Sequence, residues 1–140
     1  MHKRIDHIVV RVENLDEAIG HYTERLGFTV TEPVEGQPHL GLRRVILGLG
    51  DNKSFIELCE PLGENSDIRN SLEKRGEGLH LVALEVDSVA DVKADMERRG
   101  ARVIDAGSQV FLHPKEGHGV MFQLVELSLI HISEPTRLRS

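Results

Sequence analysis

Cysteine occurs once in the 140 residues, as Cys59, so no disulfide can close within the chain. A lone thiol fits a reducing cytoplasm. Long apolar runs are missing too, and none approaches the roughly 18–20 residues of a membrane-spanning helix. The opening MHKRIDHIVV lacks the apolar stretch of a signal peptide. Bases are in deficit: 17 Lys and Arg stand against 23 Asp and Glu, a formal net charge of -6. No Lys/Arg cluster offsets this, and a nucleic-acid partner needs a basic face. P-loop, dinucleotide-binding glycine pattern and GxSxG nucleophile motif are all lacking. What remains is a cytoplasmic, soluble protein acting on a small molecule, with no nucleic-acid or membrane partner. With 39% hydrophobic and 29% charged residues the chain is globular. Its length suits one domain with a respectable core.

What is present is a repeat. DHIVVRVENLDEAIGHYTERLGFTV (Asp6 to Val30) and LHLVALEVDSVADVKADMERRGARV (Leu79 to Val103) share one order. Each has an apolar strand, an acidic turn, an amphipathic helix, a glycine and a second strand. Leu15, Ala18, Ile19, Tyr22 and Leu26 form the apolar stripe of the first helix. Val89, Val92, Ala94 and Met96 form a looser stripe in the second. Asn14 or Asp16, and Asp87 or Ser88, are expected N-caps, with Gly27 and Gly100 as C-caps. Strands follow at Arg43 to Gly50 and Ser54 to Pro61, joined by the turn GDNKS. Their counterparts are Ser108 to Lys115 and Gly119 to Glu126, joined by HPKEGHG. Between the halves, Leu62 to Gly78 carries a short helix starting near Ser66 or Asp67.

The expected class is therefore α+β: two tandem βαβββ modules forming a curled mixed sheet around a central cleft. The first module spans about 4–61, the linker 62–77 and the second module about 78–126, together one domain of residues 1–126. Beyond it, LSLIHISEPTR (Leu127 to Arg137) resembles, residue for residue, an in-frame translation of a transposase sequencing adapter. Residues 127–140 are accordingly read as a non-native tail, and His131 is excluded from any site. Recovery of the same codons by a different library method would sink that reading.

DHIVVRV followed by an acidic turn and helix resembles the opening of glyoxalase and methylmalonyl-CoA epimerase domains. IELCEPLGENSDIRNSLEKRGEGLH resembles the epimerase middle segment, and FLHPKEGHGVMFQLVE its C-terminal hairpin. Together these cover nearly all of Met1 to Glu126. They mark a resemblance to the vicinal oxygen chelate (glyoxalase/bleomycin resistance/dioxygenase) superfamily, and within it to the methylmalonyl-CoA epimerases. The resemblance implies a two-module half-shell, paired into a homodimer, with one divalent metal (Co, Zn, Mn, Ni, Mg or Fe) in an acid-lined cleft. It implies an acyl-CoA as substrate, with flanking bases that move the α-proton.

Carried over residue by residue, the metal set is His7, Glu57 and Gln123. His7 follows Asp6 in the first strand, where an imidazole suits Zn, Co, Ni or Fe. A strand-end histidine bonded to backbone is the bland alternative. Period 2 puts Phe55, Glu57 and Cys59 on one strand face. An acid in an apolar strand needs a partner, either a metal or an arginine such as Arg11 or Arg43. Cys59 itself reads as a small buried hydrophobe. Gln123 stands where relatives carry Glu, and a neutral amide oxygen is the weaker ligand; Glu126 falls on the opposite face. The remaining position is a gap. Aligning Val12 with Val86 pairs His7 with Leu81 and Asp6 with His80, so Leu81 turns to the cleft and His80 to the helix layer. A bulge could reset that register.

For catalysis the candidates are His39 and Glu57. His39, in GQPHLGLRRV, falls near the family's base, and an imidazole can accept a proton near neutral pH. An exposed loop histidine is the alternative, and Glu32 and Glu35 are expected in the same loop. Asp6 reads as a cap or salt-bridge partner. His113, Lys115 and His118 read as a polar turn, with Lys115 able to attract an anion. The function implied is a metal-assisted isomerase that moves a proton beside a carbonyl of a small acid or acyl thioester. Two alternatives stand beside it: a metal-free binding or sequestering protein, favoured by Leu81 and Gln123, and a glyoxalase or ring-cleaving dioxygenase.

Overall fold

The computed structural model describes Met1–Glu126, and the adapter-like tail lies outside the described residues. The class is α+β, with parallel and antiparallel strand pairs mixed. The strands are β1 (His2–Arg11), β2 (Thr29–Gln37), β3 (Leu42–Gly48), β4 (Phe55–Pro61), β5 (Gly78–Val86), β6 (Val103–Asp105), β7 (Val110–Leu112) and β8 (Phe122–Glu126). The α-helices are α1 (Leu15–Gly20), α2 (Asp67–Arg75) and α3 (Val89–Arg98). The order βαβββ, linker helix, βαβββ is thus the one the repeat announces. Among the described residues no helix is long and apolar enough to cross a membrane. The chain divides into two compact units. One is residues 8–80; the other is Met1–His7 with the described residues from Leu81 onward.

In the 8–80 unit the strand order is β2-β3-β4-β1. The register pairs Ile46 with Glu57 and Arg44 with Cys59 across the antiparallel β3/β4 ladder. Alternation then sends Val45, Leu47 and Leu58 to the other face. There they bury with Val12 and Leu15, while Ala18, Ile19 and Tyr22 pack against them. Asn14 caps α1 by accepting from the Glu17 amide at 2.9 Å, and Glu60 Oε2 accepts from the Leu15 amide at 2.8 Å. Ser66 caps α2 through the Arg69 amide at 3.1 Å.

The expected stripe of the first helix fails at its end. Leu15 is fully buried, but Leu26 is 62% exposed. The cause is a π-helical turn over His21–Arg25, in which the Leu26 amide reaches back to His21 O at 3.2 Å. The wider turn departs from the 3.6-residue period, so Leu26 swings outward. Phe28 fills in, its ring 5.6 Å from that of Tyr22. Glu32 and Glu35 lie within β2, not in the expected loop, at register shifts against β3.

In the other unit β5 pairs parallel with β8, and β8-β7-β6 continue antiparallel. Val86, Val92, Val110 and Leu124 form its core, backed by Val89, Met96 and Val103. Ala94 is exposed, two residues past Val92 and so off the buried face. Ser88 caps α3 by accepting from the Asp91 amide. Glu126 Oε1 accepts from the Val89 amide at 2.7 Å, as Glu60 does for Leu15 in the first module. The repeat thus extends to a carboxylate, at the end of each module's last strand, that satisfies a first-turn amide of each module's helix.

Candidate functional site

That repeated carboxylate fixes a register between the modules. Glu57 stands three residues before Glu60, and Gln123 three before Glu126. Since Glu60 and Glu126 both serve a helix N-terminus, Glu57 and Gln123 both belong to the sheet face turned away from the helix. Each can be followed within its own unit.

On the 8–80 unit, Glu57 shares its face with the buried Phe55 and Cys59. Neither arginine named as an alternative partner meets it. Arg43 bonds Glu60 at 2.6 Å and Asp16 at 3.6 Å. Arg11 donates to the carbonyls of Gly76 and Leu79, both at 2.7 Å. Instead Glu57 Oε2 accepts from Cys59 Sγ at 3.1 Å. Burial pushes the Cys59 thiol well above its usual range. The Glu57 charge and hydrogen bond add to this, and Arg44 opposes it. The sequence therefore classed Cys59 correctly as a buried thiol, and its contact with Glu57 is new.

Arg44 is the residue that sequence reasoning passed over. It is buried, lies opposite Cys59, and so shares the Glu57 face. Its guanidinium contacts Glu35 at 3.2 Å, Glu32 at 3.4 Å and the Pro33 carbonyl at 3.2 Å. The signal lay in the pair Arg43-Arg44: adjacent strand residues face opposite ways, so one of them had to share the Glu57 face. His39 sits on a 3-10 turn, Pro38–Leu40, and is exposed. The turn closes on Gly41 at φ 70°, where a Cβ would come within 2.5 Å of the Ser66 Cβ. Only glycine fits there.

In the other unit His7 Nδ1 lies 2.8 Å from Asp6 Oδ2. Asp6 also takes Arg4 Nη1 at 3.2 Å, and Arg4 reaches Glu85 at 2.9 Å. A carboxylate on one ring nitrogen is the support that orients metal-ligating histidines, and it makes Nε2 the atom through which His7 would coordinate. Gln123, 9% exposed, is paired with Ala83, and Leu81 lies two residues before Ala83 on the same strand face. The β5/β8 register runs unshifted from Val82 to Val86.

His80 turns the opposite way. It lies near Asp67 and Arg75 of α2 and near Arg11, and its Nδ1 is buried without a hydrogen-bond partner. Burial, helped by Arg11 and Arg75, lowers its pKa to about 4. Leu81, 6% exposed, therefore occupies a position that histidine does not. Among the described residues no group of three or more His, Cys, Asp and Glu side chains could hold a metal. Each unit by itself offers few donors of the kinds that bind a divalent ion: the Glu57 carboxylate in one, the His7 imidazole and the Gln123 amide oxygen in the other. In the HPKEGHG turn, His113 Nδ1 accepts the Lys115 amide and Glu116 the Arg102 amide, as a polar turn requires.

Residues 6–122 match the Glyoxalase/Bleomycin resistance protein/Dioxygenase superfamily. The mitochondrial methylmalonyl-CoA epimerase of Dictyostelium discoideum is 34% identical over 132 residues, which are 88% of this chain and 78% of the relative. The ethylmalonyl-CoA/methylmalonyl-CoA epimerase of Cereibacter sphaeroides is 31% identical over 134 residues, 89% of this chain and 98% of the relative. Among solved structures, a substituted Streptomyces coelicolor methylmalonyl-CoA epimerase in complex with 2-nitronate-propionyl-CoA superimposes with a TM-score of 0.81 at 34% identity. The match covers 91% of this chain and 99% of that one.

Proposed function

Because the chain belongs to the Glyoxalase/Bleomycin resistance protein/Dioxygenase superfamily, we propose that it is a methylmalonyl-CoA epimerase-like isomerase acting on an acyl-CoA. The likeness to epimerases along nearly the whole chain carries this reading. In it, His7, Glu57 and Gln123 hold a divalent ion, which when bound polarises the carbonyl beside the reacting carbon. The protein does the rest. Asp6 holds the His7 ring in one orientation through Nδ1. The α-proton passes to His39 or to a carboxylate, Glu57 being the one set among buried neighbours on its strand. A proton returned to the opposite side of the carbon inverts it, with none consumed overall.

Solvent deuterium exchange into methylmalonyl-CoA tests the proposal. Exchange that rises with added Co, Mn or Mg supports it; no exchange with any of the three ends it. A second reading, a metal-free binding or sequestering protein, is favoured by one observation: Leu81 shares a strand face with Gln123 and has no donor atom. Elemental analysis with metal titration separates the two, since stoichiometric metal rejects the second.

A further inference from the structure

Within the 8–80 unit a cavity of about 400 Å³ opens beside the end of β1 and the start of α1. Glu57, Cys59 and His39 are not among the residues that line it. Its charges are layered by depth. Arg11, 5% exposed, lies at the inner side. Its Nε and Nη1 go to the neutral carbonyls of Gly76 and Leu79. Among the described residues no carboxylate pairs with its guanidinium, and the charge that acts on it, Arg75, has the same sign. A buried cation with no counter-charge is costly. A guanidinium has five N–H donors, more than those carbonyls take up.

The mouth has the opposite character. Glu13, Glu17 and Glu77 are exposed and line the same cavity. Glu77 accepts from the Glu13 amide at 2.9 Å. Among the described residues no cation meets the Glu13 or Glu17 carboxylate. A simple anion would have to pass these three acids to reach Arg11, and a simple cation would leave Arg11 as it is. A polyphosphate such as the CoA nucleotide is repelled outright.

We propose that this cavity is a second binding site, for a small zwitterion of the α-amino-acid type. The ligand's carboxylate turns inward to Arg11 and its ammonium outward to Glu13, Glu17 and Glu77. Its apolar side chain lies against Val12, Ala18 and Tyr22, which also line the wall. The volume lies in the usual range of small-molecule pockets, about 300–1,000 Å³. The proposal is independent of the isomerase reading and stands or falls without it.

Calorimetric titration of the full chain with L-leucine, 3-methylbutylamine and 4-methylpentanoate tests it, because the last two each remove one charge. Leucine should saturate, and each analogue should bind at least about tenfold more weakly, the loss of one charge-assisted contact. The double variant Glu13→Gln/Glu17→Gln, at exposed positions, should weaken leucine about tenfold and strengthen 4-methylpentanoate. Arg11→Lys keeps the charge but loses the fork, and should weaken leucine while leaving the amine unaffected. Failure of leucine to saturate by about 10 mM, equal binding of 4-methylpentanoate, or no response to the double variant would overturn the proposal.

Discussion

His80 offers the sharpest test of how the second module's first strand is turned. Its ring nitrogen Nδ1 is buried without a partner, and its pKa falls from 6.5 to about 4. The folded protein therefore keeps the ring neutral at pH values where the unfolded chain already binds a proton. Stability tied to this group is complete above pH 6.5 and is lost as pH falls through the window down to about 4. At pH 5 the loss works out at about 2 kcal/mol, and it approaches about 3 kcal/mol below pH 4. His80→Leu removes the titration and the unpartnered nitrogen together. It should leave stability at pH 7 unchanged or raised by up to about 1 kcal/mol. Urea denaturation of both proteins at pH 7 and pH 5 gives the readout. Other groups titrate alike in both, so the variant should lose about 2 kcal/mol less than the wild type between those pH values. Equal losses would mean that His80 is solvated or paired, and the account of β5 facing given above would be wrong.

Leu81→His should return an imidazole to the face shared with Gln123. It should tighten divalent-metal binding by at least about tenfold in chelator competition; no change would place that face away from any metal. Asp6→Asn should weaken the same binding by about tenfold or more, through the loosened His7 ring. Leu15→Ala should cost about 3 kcal/mol in urea denaturation, whereas Leu26→Ala should stay within about 0.5 kcal/mol; comparable costs would contradict the π-turn. Gly41→Ala should cost about 2 kcal/mol or more, from its left-handed backbone and the contact with Ser66, and a neutral result would show that the His39 turn is free to move.

The order of elements was legible because it rests on local signals: alternation, caps at Asn14, Ser66 and Ser88, and glycines at the helix ends. The repeat doubled each signal. Leu26 was missed because a π-turn leaves no mark in a pattern read at 3.6 residues. Glu32 and Glu35 fall in an expected loop because the resemblance lays the family's base-bearing loop over this stretch, and their partner Arg44 lies on another strand. The opposed facing of His80 and Leu81 was readable from parity alone. The contacts of Arg44 were not, since they depend on which of two adjacent arginines shares the Glu57 face, and so on a register between strands.

Cys59 has a practical consequence. It is the only thiol in the chain, it is fully buried, and its proton is held tightly. Thiol reagents attack the thiolate, so the native protein should resist them until the face of β4 that carries Cys59 is uncovered. The rate of modification is then a built-in clock for that opening, read without any introduced label. A cysteine placed on the surface would also react alone, which makes the native chain a ready background for site-specific probes.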